Sequence, residues 1–280
     1  MHEIVKEAEE ILDKEYSVLN HGFVRLVDYM GSDSAIVQAA RVSYGKGTKK
    51  INEDKGLIKY LMRNNHTSPF EMVELKFNCK MPIFVARQWV RHRSASINEI
   101  SGRYSEMKDE FYIPESKEVN YQSKDNKQGR SDETFSVEEI KRILTNFMRE
   151  QQEDYKNYNK RVEQGMAKEL ARINLPLSLY TEWYWKIDLH NLFHFLELRM
   201  DKHAQFEIRK YANTIFDITK KVAPISCEAF EDYRLNSVRF SKQEISVIKE
   251  FLGEVNIENN FILSRGEKFE LEEKLNKFSK

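Results

Sequence analysis

The sequence predicts an α+β fold, a single mixed domain with helices packed on a small, largely antiparallel sheet and with helical extensions at the termini. Three observations carry that expectation. Helical patterns come in clusters and outnumber strand patterns, residues 73–81 alternate strictly between apolar and polar side chains, and no segment repeats along the 280 residues. A doubly wound sheet, which needs strands and helices in regular alternation, is therefore not expected.

Ile4, Ala8, Ile11 and Leu12 share one face of a helix over residues 3–14, and residues 22–30 read as a strand. Helices over residues 34–43 and 54–64 follow, the second ending at the polar turn Asn64-Asn65-His66-Thr67-Ser68-Pro69. Val73, Leu75, Phe77, Cys79 and Met81 then share one face and Glu74, Lys76, Asn78 and Lys80 the other, the pattern of a half-buried strand, so Cys79 points into a core. Pro82 suits the first turn of a short helix reaching Arg91. Residues 114–133 are polar and poor in apolar side chains, which predicts a mobile loop without chemistry of its own. Ser136 with Glu139 makes a capping box for a helix to about residue 164, and a shorter helix from residue 167 stops before Pro176. Residues 179–187 are aromatic and β-branched enough for a strand, although their near-continuous bulk also fits a buried helix end. Asp188 is a good cap for a helix to residue 200, and another over residues 204–222 ends before Pro224. Residues 241–252 and 268–277 read as helices of a C-terminal extension, 236–280, beyond a main domain over residues 1–235.

Forty-five basic residues balance forty-five acidic ones. No global field then draws in nucleic acid or an anionic membrane, and any phosphate recognition has to be local. Cys79 and Cys227 are far apart and in no metal-ligand spacing, which argues against a disulfide framework and suits a reducing cytoplasm. The first residues lack the pattern of a signal peptide, and no apolar run nears the roughly 20 residues that span a bilayer. The expected location is cytoplasmic.

The densest polar cluster, residues 91–104, reads Arg-His-Arg-Ser-Ala-Ser-Ile-Asn-Glu-Ile-Ser-Gly-Arg-Tyr and directly follows the apolar run Ile83-Phe84-Val85-Ala86-Arg87-Gln88-Trp89-Val90. A chain that has entered a core does not bury several charges without partners. The segment therefore either leaves the core as a surface loop laced with ion pairs or meets a ligand there. Arginine forks grip phosphate and carboxylate at two points, while Ser, Asn and Glu sort sugar hydroxyls and base edges, so a phosphorylated nucleotide satisfies the set.

On the helix over residues 188–200, steps of about 100° put Leu189, Leu192, Phe193 and Leu196 on one stripe and His190, His194 and Glu197 on another. Arg199 falls on neither. His190 and His194 fit satisfied core or interface histidines, and their spacing also fits two ligands of a metal. No metal is expected, because the Glu of a His-Glu-x-x-His helix is missing and no cysteine is placed to help. Arg199 fits an ion pair with Glu197 or Asp201, or a ligand that develops negative charge.

Arg91-His92-Arg93, seven further residues and Ser101, with Ser96, Asn98, Glu99, Arg103 and Tyr104 in register, resembles the signature of the flavin-dependent thymidylate synthases. The resemblance runs from about residue 22 to residue 233 and takes in Ala40-Arg41-Val42-Ser43 and residues 66–71, 82–104, 171–181 and 188–212. It implies reductive methylation of dUMP to dTMP, with methylenetetrahydrofolate as one-carbon donor and NADPH as reductant through FAD. It also implies a homotetramer with active sites at subunit junctions. Carried over position by position, it implies that Gln88, Trp89, Val90, Arg91, Glu99, Ile100, Ser101, Gly102, Arg103, Arg172 and Arg199 meet dUMP. Arg199 would be the catalytic cation that stabilises the ionised N3 of the uracil ring. Ser68, Arg91, His92, Arg93, Ser94, Glu99, Asp188, His190 and His194 would meet FAD, and His66 would face the flavin or the folate.

Ser68 stands where many relatives carry Thr, which keeps the hydroxyl, and the absence of Gly-x-Gly-x-x-Gly means that FAD is not expected on a Rossmann fold. Neither cysteine is placed as a nucleophile, and Ser101 has no evident base beside it, so its expected task is to bind and orient dUMP. A nucleic-acid module is the competing class, with Arg91, Arg93 and Arg103 as phosphate clamps and Trp89 and Tyr104 as stacking platforms. The neutral net charge and the interleaved acids weigh against it. An oligomer without catalysis would require the ligand residues to have drifted, and they are present nearly in full.

Overall fold

The computed structural model describes residues 4–42, 51–124, 129–251 and 263–279. The expected element ends at Glu3, Ser43 and Leu252, and residues 125–128 of the expected loop, lie outside these. In chain order the elements are α1 (Lys6–Glu9), β1 (Glu15–Val18), β2 (Gly22–Met30), α2 (Asp33–Val42), α3 (Ile51–Arg63), β3 (Glu74–Pro82), α4 (Ile83–Trp89) and β4 (Ser96–Glu99). Then come β5 (Asn120–Gln122), β6 (Arg130–Thr134), α5 (Val137–Glu163), α6 (Lys168–Ala171), β7 (Tyr180–Asp188), α7 (Leu189–Arg199), α8 (Phe206–Val222), α9 (Pro224–Phe230), α10 (Lys242–Phe251) and α11 (Arg265–Ser279). The chain divides into two compact units, Met1–Leu235 and Asn236–Lys280.

The first unit is built on an antiparallel sheet in the order β1-β2-β3-β7-β4, so the fold is α+β as the patterning predicts. The alternation in β3 buries Leu75, Phe77, Cys79 and Met81 in one core with apolar residues of α4 and α8, and β7 adds Trp183, Trp185 and Ile187 to the same core. The aromatic run over residues 179–187 is thus a central strand and not a helix end. Gly22 opens β2 where α8 comes closest: a Cβ there would lie 1.9 Å from the Tyr211 hydroxyl, which donates to the Lys80 carbonyl at 2.8 Å. Only glycine admits that approach.

Three expectations need correction. The first helix stops at Glu9, because the chain turns through Asp13 in the left-handed region (φ 57°) to place β1 antiparallel to β2. The signature segment contains an edge strand, β4, that its sequence does not announce, since Ile97 alone of its four residues packs against the core. Within the polar segment over residues 114–133, expected as a loop, β5 pairs antiparallel with β6, and Tyr121 and Phe135 meet there at 3.9 Å between ring centroids. As expected, α8 ends before Pro224, and Pro224 in turn opens α9, whose first N–H groups are satisfied by Asp33: its carboxylate accepts from the Ile225 and Ser226 amides at 2.8 and 2.9 Å.

Local signals fare better. Ser136 and Glu139 close the capping box at the start of α5, and the Asp188 carboxylate caps α7 by accepting from the Asn191 amide at 2.9 Å. In the second unit, α10 and α11 are each opened by the same reciprocal device, Ser241 with Glu244 and Ser264 with Glu267.

Candidate active site

The signature segment leaves the core at the end of α4. Trp89 is fully buried, the His92 amide donates back to the Trp89 carbonyl at 3.0 Å, and from Arg91 onward most side chains face solvent. Arg91 and Arg93 are exposed and make no ion pair among the described residues, so two guanidinium forks stand ready for an anionic group. β4 then pairs with β7 in the register Ile97↔Trp185 and Glu99↔Trp183. That register sets the Glu99 carboxylate beside the buried Thr181 hydroxyl, which donates to it at 2.5 Å.

Past β4, the Ile100 amide donates to the Glu182 carbonyl at 2.9 Å and the chain turns at Ser101, whose hydroxyl accepts from the Arg103 amide at 3.3 Å. Gly102 is buried against Arg172: a Cβ there would lie 3.0 Å from Arg172 Nη1 and 2.7 Å from Met107 Sδ. Arg172, 70 positions away in sequence (172 − 102), thus joins Ser101 and Arg103 at one turn. Arg103 sits 3.6 Å from Glu169, an exposed and weak pairing that a stronger anion would displace.

α7 delivers the other half. Arg199 at its end donates from Nε to His92 Nε2 at 3.0 Å and from Nη2 to the Gln88 carbonyl at 3.3 Å. Neither expected ion pair forms, since Asp201 instead accepts from the His203 amide and ring at 2.7 and 2.8 Å. Partial burial pulls the Arg199 pKa below its ordinary value. The His92 ring lies 5.0 Å from Phe195 and 5.9 Å from His194. Burial first, then Arg199 and His194, hold its pKa down to about 4.

The sign of the resulting pH dependence is fixed. As pH falls from about 6.5, the unfolded chain protonates this imidazole before the folded chain does, so stability is lost down to the folded value of about 4. Thermal denaturation between pH 7 and pH 4.5 is expected to show a smaller loss in His92→Gln than in the wild type; equal losses would contradict the burial of a neutral imidazole.

His190, His194 and Glu197 line a cavity of about 300 Å³ together with His66 and Thr67 from the turn before the short 3-10 helix Ser68–Met72. The helical spacing read from the sequence is borne out on this face. The imidazole of His92 touches His194, so the cavity and the Arg199 cluster adjoin. Asp188 gives both carboxylate oxygens to Asn191, at 2.9 and 2.7 Å, and contributes to the site by starting α7. Among the described residues no group of three His, Cys, Asp or Glu side chains could hold a metal ion.

One sequence assignment changes. The Trp89 indole is 0% exposed and packs against Trp183, Trp185 and Phe195, so it is neither a stacking platform nor a side-chain contact for a ligand; only its backbone is placed to serve one. Two further residues belong to the site and were not read from the sequence. Thr181 orients Glu99, and Gln205, just ahead of α8, hydrogen-bonds through its side chain to that of Gln88. Neither pairing has a local signal, because each depends on how distant elements pack.

Cys79 and Cys227 are buried, and burial pushes both thiols well above their ordinary pKa. No helix among the described residues is long and apolar enough to cross a membrane.

Residues 25–225 match a family described as "Thymidylate synthase complementing protein". Proteins named flavin-dependent thymidylate synthase are similar over nearly the whole chain. That of Treponema denticola is 57% identical across 86% of this chain and 91% of its own, and that of Wolbachia pipientis wMel is 56% identical across 91% and 89%. Among solved structures, the UMP/dUMP methylase PolB from Streptomyces cacaoi, bound with 5-Br dUMP, superposes with a TM-score of 0.72 at 32% identity, covering 80% of this chain and 100% of that one.

Proposed function

The chain belongs to the family of flavin-dependent thymidylate synthases, and on that premise we propose that it methylates dUMP reductively to dTMP, with methylenetetrahydrofolate as one-carbon donor and NADPH as reductant through FAD. One observation carries the reading to this site. A guanidinium, Arg199, is held by two uncharged acceptors, His92 and the Gln88 carbonyl, at the start of the very segment that gathers Glu99, Ser101, Arg103 and Arg172.

Gln88, Arg91, Arg103 and Arg172 would take the phosphate and sugar of dUMP, with Ser101 and Gly102 lining the turn and Glu99, fixed by Thr181, accepting a ring or ribose donor. Trp89 would serve through its backbone alone, and Val90 and Ile100 through backbone and apolar contact. Arg199 would face the pyrimidine, where its unneutralised charge favours the form that has released the N3 proton to solvent. Ser68, Arg91, His92, Arg93, Ser94, His190 and His194, with Glu99 and Asp188 behind them, would hold FAD. The donor set fits a flavin nucleotide: exposed guanidinium forks suit a pyrophosphate, and imidazoles around a partly apolar cavity suit the ring system. When bound, that group supplies the transfer of reducing equivalents to the pyrimidine. His66, at the same cavity, would face flavin or folate.

No enzyme cysteine serves as nucleophile in this reading, because both thiols are buried and held protonated. The first unit would carry catalysis and the second would be a helical extension. Exposed apolar side chains beside the site, among them Val90, Ile100 and Leu198, support a homotetramer with active sites at subunit junctions. Two free cysteines suit a cytoplasmic protein.

The visible absorption spectrum tests this reading. Purified protein, supplied with FAD if necessary, is expected to show oxidised-flavin bands that shift when dUMP is added; a preparation that stays colourless with added FAD would overturn it.

A further inference from the structure

We propose that His92 is a positioning residue for Arg199, a neutral acceptor that fixes the guanidinium while leaving its positive charge uncancelled for the pyrimidine. The inference rests on the reading of Arg199 as the group facing the dUMP ring, and goes beyond it by assigning what holds that arginine. The geometry is specific. Arg199 Nε donates to His92 Nε2 at 3.0 Å and Nη2 to the Gln88 carbonyl at 3.3 Å, so two of its donors point into the protein and the rest are left for a ligand.

The His92 ring is itself held in place. Its backbone amide bonds the Trp89 carbonyl at 3.0 Å, the ring meets the edge of Phe195 at 5.0 Å, and His194 lies 5.9 Å away. Acceptance at Nε2 requires the proton to sit on Nδ1, or to be absent from Nε2 in any case, so only the neutral imidazole makes this bond. A partly buried guanidinium most often finds a carboxylate. Arg199 has none among the described residues, although Glu197 and Asp201 lie two positions to either side of it on the chain. A carboxylate in the place of His92 would orient the guanidinium equally well and would cancel the charge that an ionising N3 needs. Orientation and charge are separable, and the imidazole supplies the first without removing the second.

The test uses holoenzyme and 5-fluoro-dUMP, whose ring N–H is more acidic than that of dUMP, with ionisation of the bound ring followed by difference ultraviolet absorbance against pH. In the wild type, the ionisation midpoint of the bound ring should fall below that of the free nucleotide. His92→Gln, which keeps a neutral acceptor, should retain that lowering. His92→Glu should still bind the nucleotide, with its midpoint moved back up by about one pH unit or more. A wild-type midpoint in His92→Glu would overturn the proposal. A wild-type enzyme that binds 5-fluoro-dUMP without lowering the midpoint, or does not bind it, would remove the reading of Arg199 and the proposal with it.

A second measurement needs no variant. In holoenzyme labelled with ¹⁵N-arginine, the Arg199 Nε–H should exchange with solvent at least about tenfold more slowly than those of exposed Arg142 and Arg149, which lie outside the proposed site, as a charged donor engaged in a hydrogen bond requires. Equal exchange rates would overturn the positioning role even if every variant failed to fold.

Discussion

Arg199→Ala is expected to retain flavin and to lower dUMP-dependent oxidation of the reduced cofactor by about two to three orders of magnitude, the usual effect of removing a preorganised donor from a developing anion. The expectation comes from where the side chain is anchored. Arg199 is tied to His92 and to the Gln88 carbonyl, both in the segment that would hold the nucleotide, so its loss removes a charge from the pyrimidine end of the site. The flavin contacts proposed for His66, His190 and His194 line an adjoining cavity whose lining does not include Arg199. Stopped-flow oxidation of the reduced variant with and without dUMP reads the effect directly. Unchanged turnover would remove Arg199 from the catalytic role, and loss of flavin would show that the two ligand regions are not separable as drawn.

Trp89→Ala is expected to produce the largest loss of stability, about 3–5 kcal/mol for a large buried aromatic. Trp89 is 0% exposed, stacks on Phe195 at 5.0 Å, and meets Trp185, Trp183 and Tyr211 at 5.1, 5.5 and 5.8 Å. It therefore joins α4 to β7, α7 and α8 at once. Since a domain of this kind is stable by only about 5–15 kcal/mol, the variant should unfold at a much lower urea concentration. Trp89→Phe should lose less: it keeps most of the stacking and removes an indole N–H that has no acceptor among the described residues. A Trp89→Ala variant with the wild-type urea midpoint would contradict the packing account. The effect also reaches function, because Gln88 and Arg91 stand at either side of this anchor.

These two residues show what a sequence can and cannot disclose here. Arg199, His190, His194 and Glu197 are separable by helical spacing alone, because α7 is regular and the period of an α-helix sorts its faces. β3 and the capping residues Ser136 and Asp188 are legible for the same reason: each signal lies within a few residues of its effect. Trp89 stands two residues ahead of the signature, where the resemblance places it among the ligand residues, yet one step along a helix turns a side chain by about 100° and sends this one into the core. β1 and β4 are strands only because β2 and β7 offer them an edge. The Thr181–Glu99 and Gln205–Gln88 hydrogen bonds join residues 82 and 117 positions apart, and no local pattern encodes such pairings.

The central claim is that this chain makes dTMP from dUMP with flavin and with no cysteine nucleophile. Mass spectrometry of dTMP formed from dUMP, methylenetetrahydrofolate, NADPH and FAD, with wild type and a folded Cys79→Ala/Cys227→Ala variant side by side, tests it most directly. Both proteins are expected to make dTMP at similar rates, since neither thiol is exposed or ionised. No dTMP from the wild type would contradict the proposed activity, and dTMP from the wild type alone would contradict catalysis without cysteine.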